Sequence, residues 1–486
     1  DYRGMSAVDL ATAAAKAALA DTGADGRAVA GAIDAVVGLR QFEISGPMPA
    51  VLGKSNNYPR SVMQRLGAQP ARAVLEPVGG QGPQKLVTEF GGAIAAGDID
   101  VALIIGSEPG STARYFADRD DKPDFTEEID GQLEDRGHQL FTYVDEHTIK
   151  HGLTGAPVQY GLLENARRAR LGLSVEDYRL KMAELFAPFT KVAAKNPFSS
   201  SPVERSVAEI ATVTDDNRMI SDPYPRLLVA RDQVNKGAAS VLMSVDAARR
   251  LGVPEDKWVY LHGHADMVEQ GLLERADLGS SPAAVMAARE ALRVAGLGVE
   301  DIASFDLYSC FPFPVFVICE ALGIDGDDPR GLTLTGGLPY FGGPGNSYSL
   351  HAIAETVNEM RNNPGLFGFV GANGGIMSKY SVGIYSTEPV DWRVSRSAEL
   401  CAEVAQLPKV AVSKEAEGPA RIDTYSVRYD WPVRTGIIVG RLESDDSRFL
   451  ATSEDEDLVA LMSGDDPIGA RITVRTTEHG NRVSLA

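Results

Sequence analysis

Two glycine-rich turns, each leading into a helix and then a buried strand, constrain this chain more than any other feature. Gly79-Gly80-Gln81-Gly82-Pro83 opens a helix that ends near Gly97, followed by a strand over 100–106. Gly342-Gly343-Pro344-Gly345-Asn346-Ser347 leads into a helix running to about Asn362, followed by a strand over 366–371. The units before the turns match as well. Ala14-Ala15-Lys16-Ala17-Ala18-Leu19 lies in a helix before a strand ending at Gly38, and Ala287-Ala288-Arg289-Glu290-Ala291-Leu292 in a helix before a strand ending near Tyr308. Strands alternating with helices at this spacing predict parallel sheets with helices on their faces. The body therefore reads as two copies of one α/β unit facing each other through the two turns.

At 486 residues the chain is long enough for two or three domains, and its 44% hydrophobic and 23% charged residues are those of a globular protein. A net charge of −20 argues against nonspecific nucleic-acid binding and against an anionic membrane surface. Cys310, Cys319 and Cys401 are too few for a disulfide scaffold and lack metal-ligand spacing, which predicts a reducing, cytoplasmic setting and no metal site. No apolar run reaches transmembrane length and no signal peptide is visible. The chain opens on Asp1 and lacks a strand ahead of its first helix, so the expectation is that the true amino terminus lies further upstream.

From about 109 to 225 the alternation breaks into charge-rich loops, aromatic helices around Tyr160 and Tyr178, and the loop 196–202. This reads as an inserted subdomain laid over the sheet. After Pro389 a helix near 398–406 gives way to alternating runs at 425–429, 435–440, 471–475 and 482–485, which predict a small antiparallel β barrel, OB-like in size. The expected division is 1–250 with the insertion 109–225, then 251–391, then 392–486. Glu454 to Asp457 reads as a solvated acidic face.

A glycine turn entering a helix presents backbone N–H groups that hold phosphate, carboxylate or the oxyanion of a thioester. Neither turn is followed by the Gly-Lys-Ser/Thr of a P-loop, and neither has the Gly-x-Gly-x-x-Gly spacing of a dinucleotide site. Asp306-Leu307-Tyr308-Ser309-Cys310-Phe311, then Glu320-Ala321-Leu322-Gly323, Gly336-Gly337-Leu338, Gly342-Gly343-Pro344 and Ala372-Asn373-Gly374-Gly375 resemble, in order, motifs of the thiolase superfamily, nearest to thiolases of the sterol carrier protein type. Over about residues 1–390 the resemblance implies a five-layered α-β-α-β-α fold of two similar halves, with CoA or acyl-CoA bound beneath the insertion as a ligand and no other cofactor. It implies a ligand site at Gly79, Gly80, Gly342, Gly343, Asn346, Ala372, Asn373 and Gly374.

The resemblance also implies reactive side chains that this chain lacks. Gly79 stands where the family has its nucleophilic cysteine, Gly343 where it has the activating histidine, Tyr308 where it has another histidine, and Ala372 where it has the second cysteine. Acyl transfer through an enzyme-bound intermediate needs a nucleophile and a positioned base. The expectation is therefore a thiolase-like acyl-CoA-binding protein of the acetyl-CoA acetyltransferase class, tied to lipid metabolism, that neither thiolyses nor condenses. The remaining catalytic candidates are Tyr308, Cys310 and His351, for each of which packing is the competing reading; Tyr340 and Tyr348 join Tyr308 in the same aromatic group. The alternatives are a retro-aldolase acting on a β-hydroxyacyl-CoA through Tyr308, and a non-catalytic scaffold. His262 and His264 share one strand face without a third ligand. Family likeness implies a homodimer, which Pro77, unable to donate to a sheet ladder after the strand at 73–75, calls into question in favour of a monomer. The partner of the barrel stays open.

Overall fold

The structure, a computed structural model, describes residues 4–46, 50–138, 145–430, 432–464 and 466–486. Helix Ala7–Asp21 begins where Ser6 and Asp9 form a capping box, each side chain accepting from the other's backbone N–H. Strands β1 (Ala35–Leu39), β2 (Arg72–Glu76) and β3 (Val101–Pro109) follow, all parallel, and β7 (Asn235–Met243) runs antiparallel to β3. In the second half, β8 (Tyr260–Val268), β9 (Ile302–Leu307), β10 (Phe367–Gly374) and β11 (Lys379–Ser386) form a sheet in the order β8-β11-β10-β9. The run β1-β3-β7 of the first sheet thus corresponds to β9-β10-β11 of the second, as a repeated unit requires.

Between the sheets lie the two helices that the glycine turns open, Gly82–Ala96 and Tyr348–Asn362. Leu86, Val87 and Phe90 of the one, and Leu350, Ile353 and Met360 of the other, share a buried cluster with Val37, Ile104, Val370 and Tyr385 from the facing sheets. Helix Ala7–Asp21 packs on the outer face of the first sheet and helix Pro282–Ala295 on that of the second. Helix, sheet, helix, sheet, helix: these are the five layers. Helix Pro312–Leu322 is one that the sequence pattern hides. Pro312 and Pro314 sit in its first turn, where the missing N–H groups have no intrahelical acceptor to lose.

In the insertion, β4 (Glu134–Asp135) pairs with the outer edge of β2, Val74 facing Glu134 and Leu75 facing Asp135. Arg40 pairs with Asp135, and Arg136 reaches Glu76, Glu89 and Glu134 at 2.8, 2.6 and 2.9 Å. Charged strand edges of this kind resist pairing with another chain.

The C-terminal strands are β12 (Gly418–Asp430), β13 (Val433–Leu442), β14 (Arg448–Ser453), β15 (Arg471–Thr477) and β16 (Gly480–Leu485). They close in the order β12-β13-β14-β16-β15-β12, with helix Glu456–Gly464 between β14 and β15. That is the five-stranded order of an OB barrel, with β14 and β16 running parallel where the sequence reading had every strand antiparallel. The acidic run is solvated as expected, with Glu454, Glu456 and Asp457 exposed, and it also starts a helix: the Leu458 N–H donates to Asp455 Oδ1 at 2.9 Å, and Glu456 and Asp457 lie in the first turn, where the helix dipole favours negative charge.

The barrel joins the insertion through a strand. β5 (Met219–Ser221) and β6 (Tyr224–Pro225) extend the barrel sheet, Ser221 facing Arg428. Ile437, Val439 and Leu450 of β13 and β14 belong to the buried cluster that holds Tyr160 and Leu162 of the insertion. Buried Arg448 donates to the carbonyls of Leu273 and Arg275 at 3.0 and 2.5 Å, and Arg168 forms a bidentate pair with Asp466.

At this junction Asp222 Oδ2 accepts from Tyr429 Oη at 2.8 Å, and burial raises the Asp222 pKa from 3.8 to about 7, against the lowering effect of that bond. Between those values the unfolded chain releases the proton and the folded chain keeps it. The stability this group supplies is therefore complete below pH 4 and lost as pH rises towards 7. Asp222→Asn is expected to remove a loss of about 3 kcal/mol between pH 4 and 7, read as a smaller fall in urea midpoint across that range than in the parent chain.

Candidate functional site

The two glycine turns meet between the halves, and one side chain spans them. Asn346 Oδ1 accepts from the Gly79 N–H at 2.9 Å, while its Nδ2 donates to the Arg40 carbonyl at 2.8 Å and to Ser45 Oγ at 3.1 Å. Ser349 Oγ, one turn on, donates to the Gly80 carbonyl at 2.7 Å. Gly79 has φ +150°, a conformation that side chains disfavour, and a Cβ there would collide with Gln81 Oε1. The same amide oxygen would meet a Cβ on Gly374, and that Cβ would lie 3.2 Å from the Gly79 Cα. Gln81 therefore turns back over Gly79 towards Gly374, and its Oε1 is buried with no hydrogen-bond partner among the described residues.

Tyr308 follows β9, its N–H donating to the Gly371 carbonyl at 3.0 Å. A Cβ on Gly80 would collide with its hydroxyl and lie 2.7 Å from the Asn373 carbonyl oxygen, so the phenol rests against the first turn because no side chain is there. Tyr348 meets it edge-on, ring centroids 5.3 Å apart. The Tyr348 hydroxyl lies 2.6 Å from Thr335 Oγ1, and Thr335 donates to buried Asp306, which also accepts from Thr333 and two backbone N–H groups. Burial raises the Tyr308 hydroxyl well above the ordinary phenol value, so it holds its proton.

Cys310 faces the insertion. Asn373 Nδ2 donates to Tyr160 Oη at 2.6 Å and approaches Cys310 Sγ at 3.7 Å, and Tyr160 stacks on Phe311 at 4.6 Å. Burial pushes the Cys310 thiol up to about 12, far from the depressed values of reactive cysteines. His351 lies on helix Tyr348–Asn362, its ring 5.3 Å from Phe341 and its Nε2 buried without a partner among the described residues. Burial, and then the charge of Lys236, push it down to about 3, so it is neutral at ordinary pH.

Gly79, Gly80, Asn346, Asn373, Gly374 and Tyr308 are thus brought together. Gly342 and Gly343 face away from that group. A Cβ on Gly342 (φ +111°) would lie 2.8 Å from Ser200 Oγ and 3.0 Å from Lys236 Cε, and one on Gly343 would lie 3.1 Å from Leu338. Ala372 is buried on β10 opposite Ser381. Tyr340 leaves the aromatic group and donates to the Leu227 carbonyl at 3.0 Å. His262 and His264 hold the segment after β11: their Nε2 atoms lie 2.7 Å from the Glu388 and 2.9 Å from the Arg393 carbonyl oxygens, and His264 stacks on Trp392. No cluster of three metal-ligating side chains occurs among the described residues.

Three residues of the site escaped the sequence reading. Gln81 is hidden inside a glycine run. Glu108 and Lys236 are single charges at the ends of β3 and β7, and a charge at the end of an apolar run was the available signal. They are direct partners across those strands, yet turn apart. Glu108 accepts from the Phe42 N–H at 2.9 Å beside Gly345, and burial raises its carboxyl to about 8.

Over its full length the chain is similar to a crystal structure of a monomeric SCP2-thiolase like protein type 1 from Mycobacterium smegmatis, at 62% identity and a TM-score of 0.88, covering 100% of this chain and 96% of that one. The structure of an acetyl-CoA acetyltransferase from Syntrophomonas wolfei matches at 16% identity and a TM-score of 0.55, covering 80% of this chain and 95% of that one, a likeness of fold alone. A curated acetyl-CoA acetyltransferase from Methanothermobacter thermautotrophicus is 29% identical over 191 residues, 36% of this chain and 47% of that protein; the chain spans about half the length of that relative. Residues 399–479 match the family described as the thiolase-like protein type 1 additional C-terminal domain.

Asn346→Ala is expected to cost about 2–3 kcal/mol, because it strands the buried Gly79 N–H and Arg40 carbonyl together, whereas Ser349→Ala is expected to cost about 1 kcal/mol. Urea unfolding of both variants measures the difference, and equal losses would show that Asn346 does not couple the turns.

Proposed function

Because this chain belongs to the thiolase-like proteins, and among them to the SCP2-thiolase like proteins of type 1, we propose that it binds CoA or an acyl-CoA at the paired glycine turns without thiolase turnover. The observation that carries this reading is Gln81: its uncharged amide lies against the position that the family resemblance gives to the acyl-accepting thiol. The other side chains grouped there, Tyr308, Asn346 and Asn373, supply donors and acceptors and no nucleophile ionised near neutral pH. The helices at Gly82 and Tyr348 both start without a side-chain cap; at the first, the Gly82 N–H donates to the Gly79 carbonyl at 2.9 Å and Pro83 has none, which leaves the Gln84 N–H for a thioester oxygen or a phosphate. A cytoplasmic setting belongs to this reading, in keeping with three free cysteines; among the described residues no helix is long and apolar enough to cross a membrane. A monomer belongs to it too, because β4 of the same chain covers the outer edge of β2.

A second reading, cleavage of a β-hydroxyacyl-CoA, is favoured by one observation: the protonated Tyr308 hydroxyl pressed against Gly80, a proton donor at a turn that would hold a thioester.

Calorimetric titration with CoA and acetyl-CoA is expected to give saturable binding, light scattering a monomer, and acetoacetyl-CoA with CoA no thiolysis above background. Thiolysis above background by the unsubstituted chain would overturn the first reading, and Cys310→Ala would then show whether that thiol carries it. Incubation with a β-hydroxyacyl-CoA tests the second, which stands only if aldehyde or ketone release falls at least 100-fold in Tyr308→Phe.

A further inference from the structure

Helix Glu146–Lys150 of the insertion ends on His151, whose side chain is 1% exposed and rests against Gly480 in the turn between β15 and β16. A Cβ on Gly480, at φ +95°, would come within 2.6 Å of the imidazole Nε2. That nitrogen accepts from the Asn481 backbone N–H at 2.8 Å, and Nδ1 lies 2.7 Å from the His147 carbonyl oxygen. A backbone N–H aimed at Nε2 requires a lone pair there, so the ring is neutral and carries its proton on Nδ1. Asn481 is itself a buried hub of the barrel. Its side chain donates to the carbonyls of Lys414 and Leu450 at 3.1 and 2.9 Å and accepts from the Ala416 N–H and Thr476 Oγ1 at 3.2 and 2.8 Å. The insertion thus grips, through one imidazole, the residue that ties β14, β15 and the lead into β12 together.

The groups around the ring oppose a second proton. His147 lies 4.4 Å away between ring centroids, with its Nε2 buried and unpartnered among the described residues. Lys150 on the same helix, Lys414 ahead of β12 and Arg482 on β16 add positive charge, and none forms an ion pair among the described residues. Arg428 of β12, beside Gly152, is paired with Asp430. Asp145 caps the helix by accepting from the Thr148 N–H at 2.8 Å, and with Glu146 and Glu415 it lines a cavity of about 370 Å³ that also reaches both histidines. At the tip of the turn, exposed Glu478 and His479 face each other at 3.5 Å. No carboxylate lies within salt-bridge distance of His147 or His151 among the described residues. Burial, and then the charges of His147, Arg482 and Lys150, hold His151 down to about 4, although its bond to the His147 carbonyl works the other way.

We propose that the bond between His151 and Asn481 is an acid-opened clasp between the insertion and the barrel: a proton on Nε2 sets a donor against a donor, and the β15–β16 turn comes away from helix Glu146–Lys150. This stands apart from the reading of the glycine turns and does not rest on it. Opened to water, the ring titrates near its ordinary 6.5, whereas in the closed clasp it titrates near 4. The clasp is therefore complete above pH 6.5 and weakens as pH falls towards 4, the reverse of Asp222 at the same junction. The opening is local. Thr424 Oγ1 still donates to the Leu162 carbonyl at 2.6 Å and Asn165 Nδ2 to the Tyr425 carbonyl at 2.9 Å, so the far side of the barrel stays on the insertion.

The test follows amide hydrogen exchange of the whole chain by peptide mass spectrometry from pH 7 to 4.5, corrected for intrinsic exchange rates. Protection over 478–484 is expected to fall about 50-fold across that range, while β13 keeps its own. His151→Gln, which offers an acceptor that does not titrate, is expected to flatten the profile over 478–484. Protection there that changes less than threefold, an equal fall in β13, or a fall that persists in His151→Gln overturns the proposal. Nitrogen-15 spectra of the histidine-labelled parent chain decide the matter even if the variant fails to fold. The expected His151 signal is an unprotonated Nε2 that titrates below pH 5, and a protonated Nε2 at pH 7 or a midpoint above 6 overturns the clasp.

Discussion

The amide of Asn346 holds this molecule's centre together. Two sheets with a layer of helices between them can slide, because apolar contacts resist separation more than they resist shear. A buried amide with three partners on two other segments does not slide: any shift leaves donors or acceptors unpaired in a region without water, at a cost comparable to a good part of a domain's net stability. Asn346 takes the Gly79 N–H and gives to Arg40 and Ser45, so it fixes the first turn, the strand exit at Arg40 and the second turn in one arrangement. The remaining features of the site follow from that registration. With the turns so placed, Gln81 has room only over Gly79 and Gly374, and Tyr308 lies against Gly80.

Most of the architecture was legible in the sequence because it is written twice. Each half carries the same order of turn, helix and buried strand, and a pattern that recurs at matching places is hard to mistake for chance. The barrel was legible through alternation at 425–429 and 471–475. The strand Arg448–Ser453 was not, since all six of its residues are buried and no polar face alternates with the apolar one. The helix Pro312–Leu322 was hidden by its prolines, and helix Glu456–Gly464 by acidic residues that suit a first turn as well as a loop. At the site, the grouping of Gly79, Gly80, Asn346, Asn373 and Gly374 was anticipated, whereas Gly342 turned out to face Ser200 of the insertion and Lys236 of β7, and Gly343 to face Leu338 and Ala230. What no sequence pattern could show is direction. Glu108 and Lys236 face each other across a ladder and still point to different partners, a choice made by the Phe42 N–H and the Phe198 carbonyl, which tertiary packing alone supplies.

The insertion works as the mortar of the molecule. It lends β4 to the edge of the first sheet, β5 and β6 to the barrel, and Tyr160 to the neighbourhood of Cys310 and Asn373. A segment that serves three neighbours is constrained by all of them. That explains how a long break in the α/β alternation coexists with aromatic residues as deeply buried as Tyr178 and Tyr224, whose hydroxyls share the carboxylate of Glu164.

The barrel's attachment carries a consequence of its own. Barrels of this order commonly present their second and third strands to a ligand, and here β13 and β14 are the strands whose Ile437, Val439 and Leu450 lie in the main core. Any visitor to that face competes with the protein's own interior, so the module is spoken for before a guest arrives. On that face the barrel serves as a wall of this molecule, and a body deprived of it would show oil where it now shows a seam.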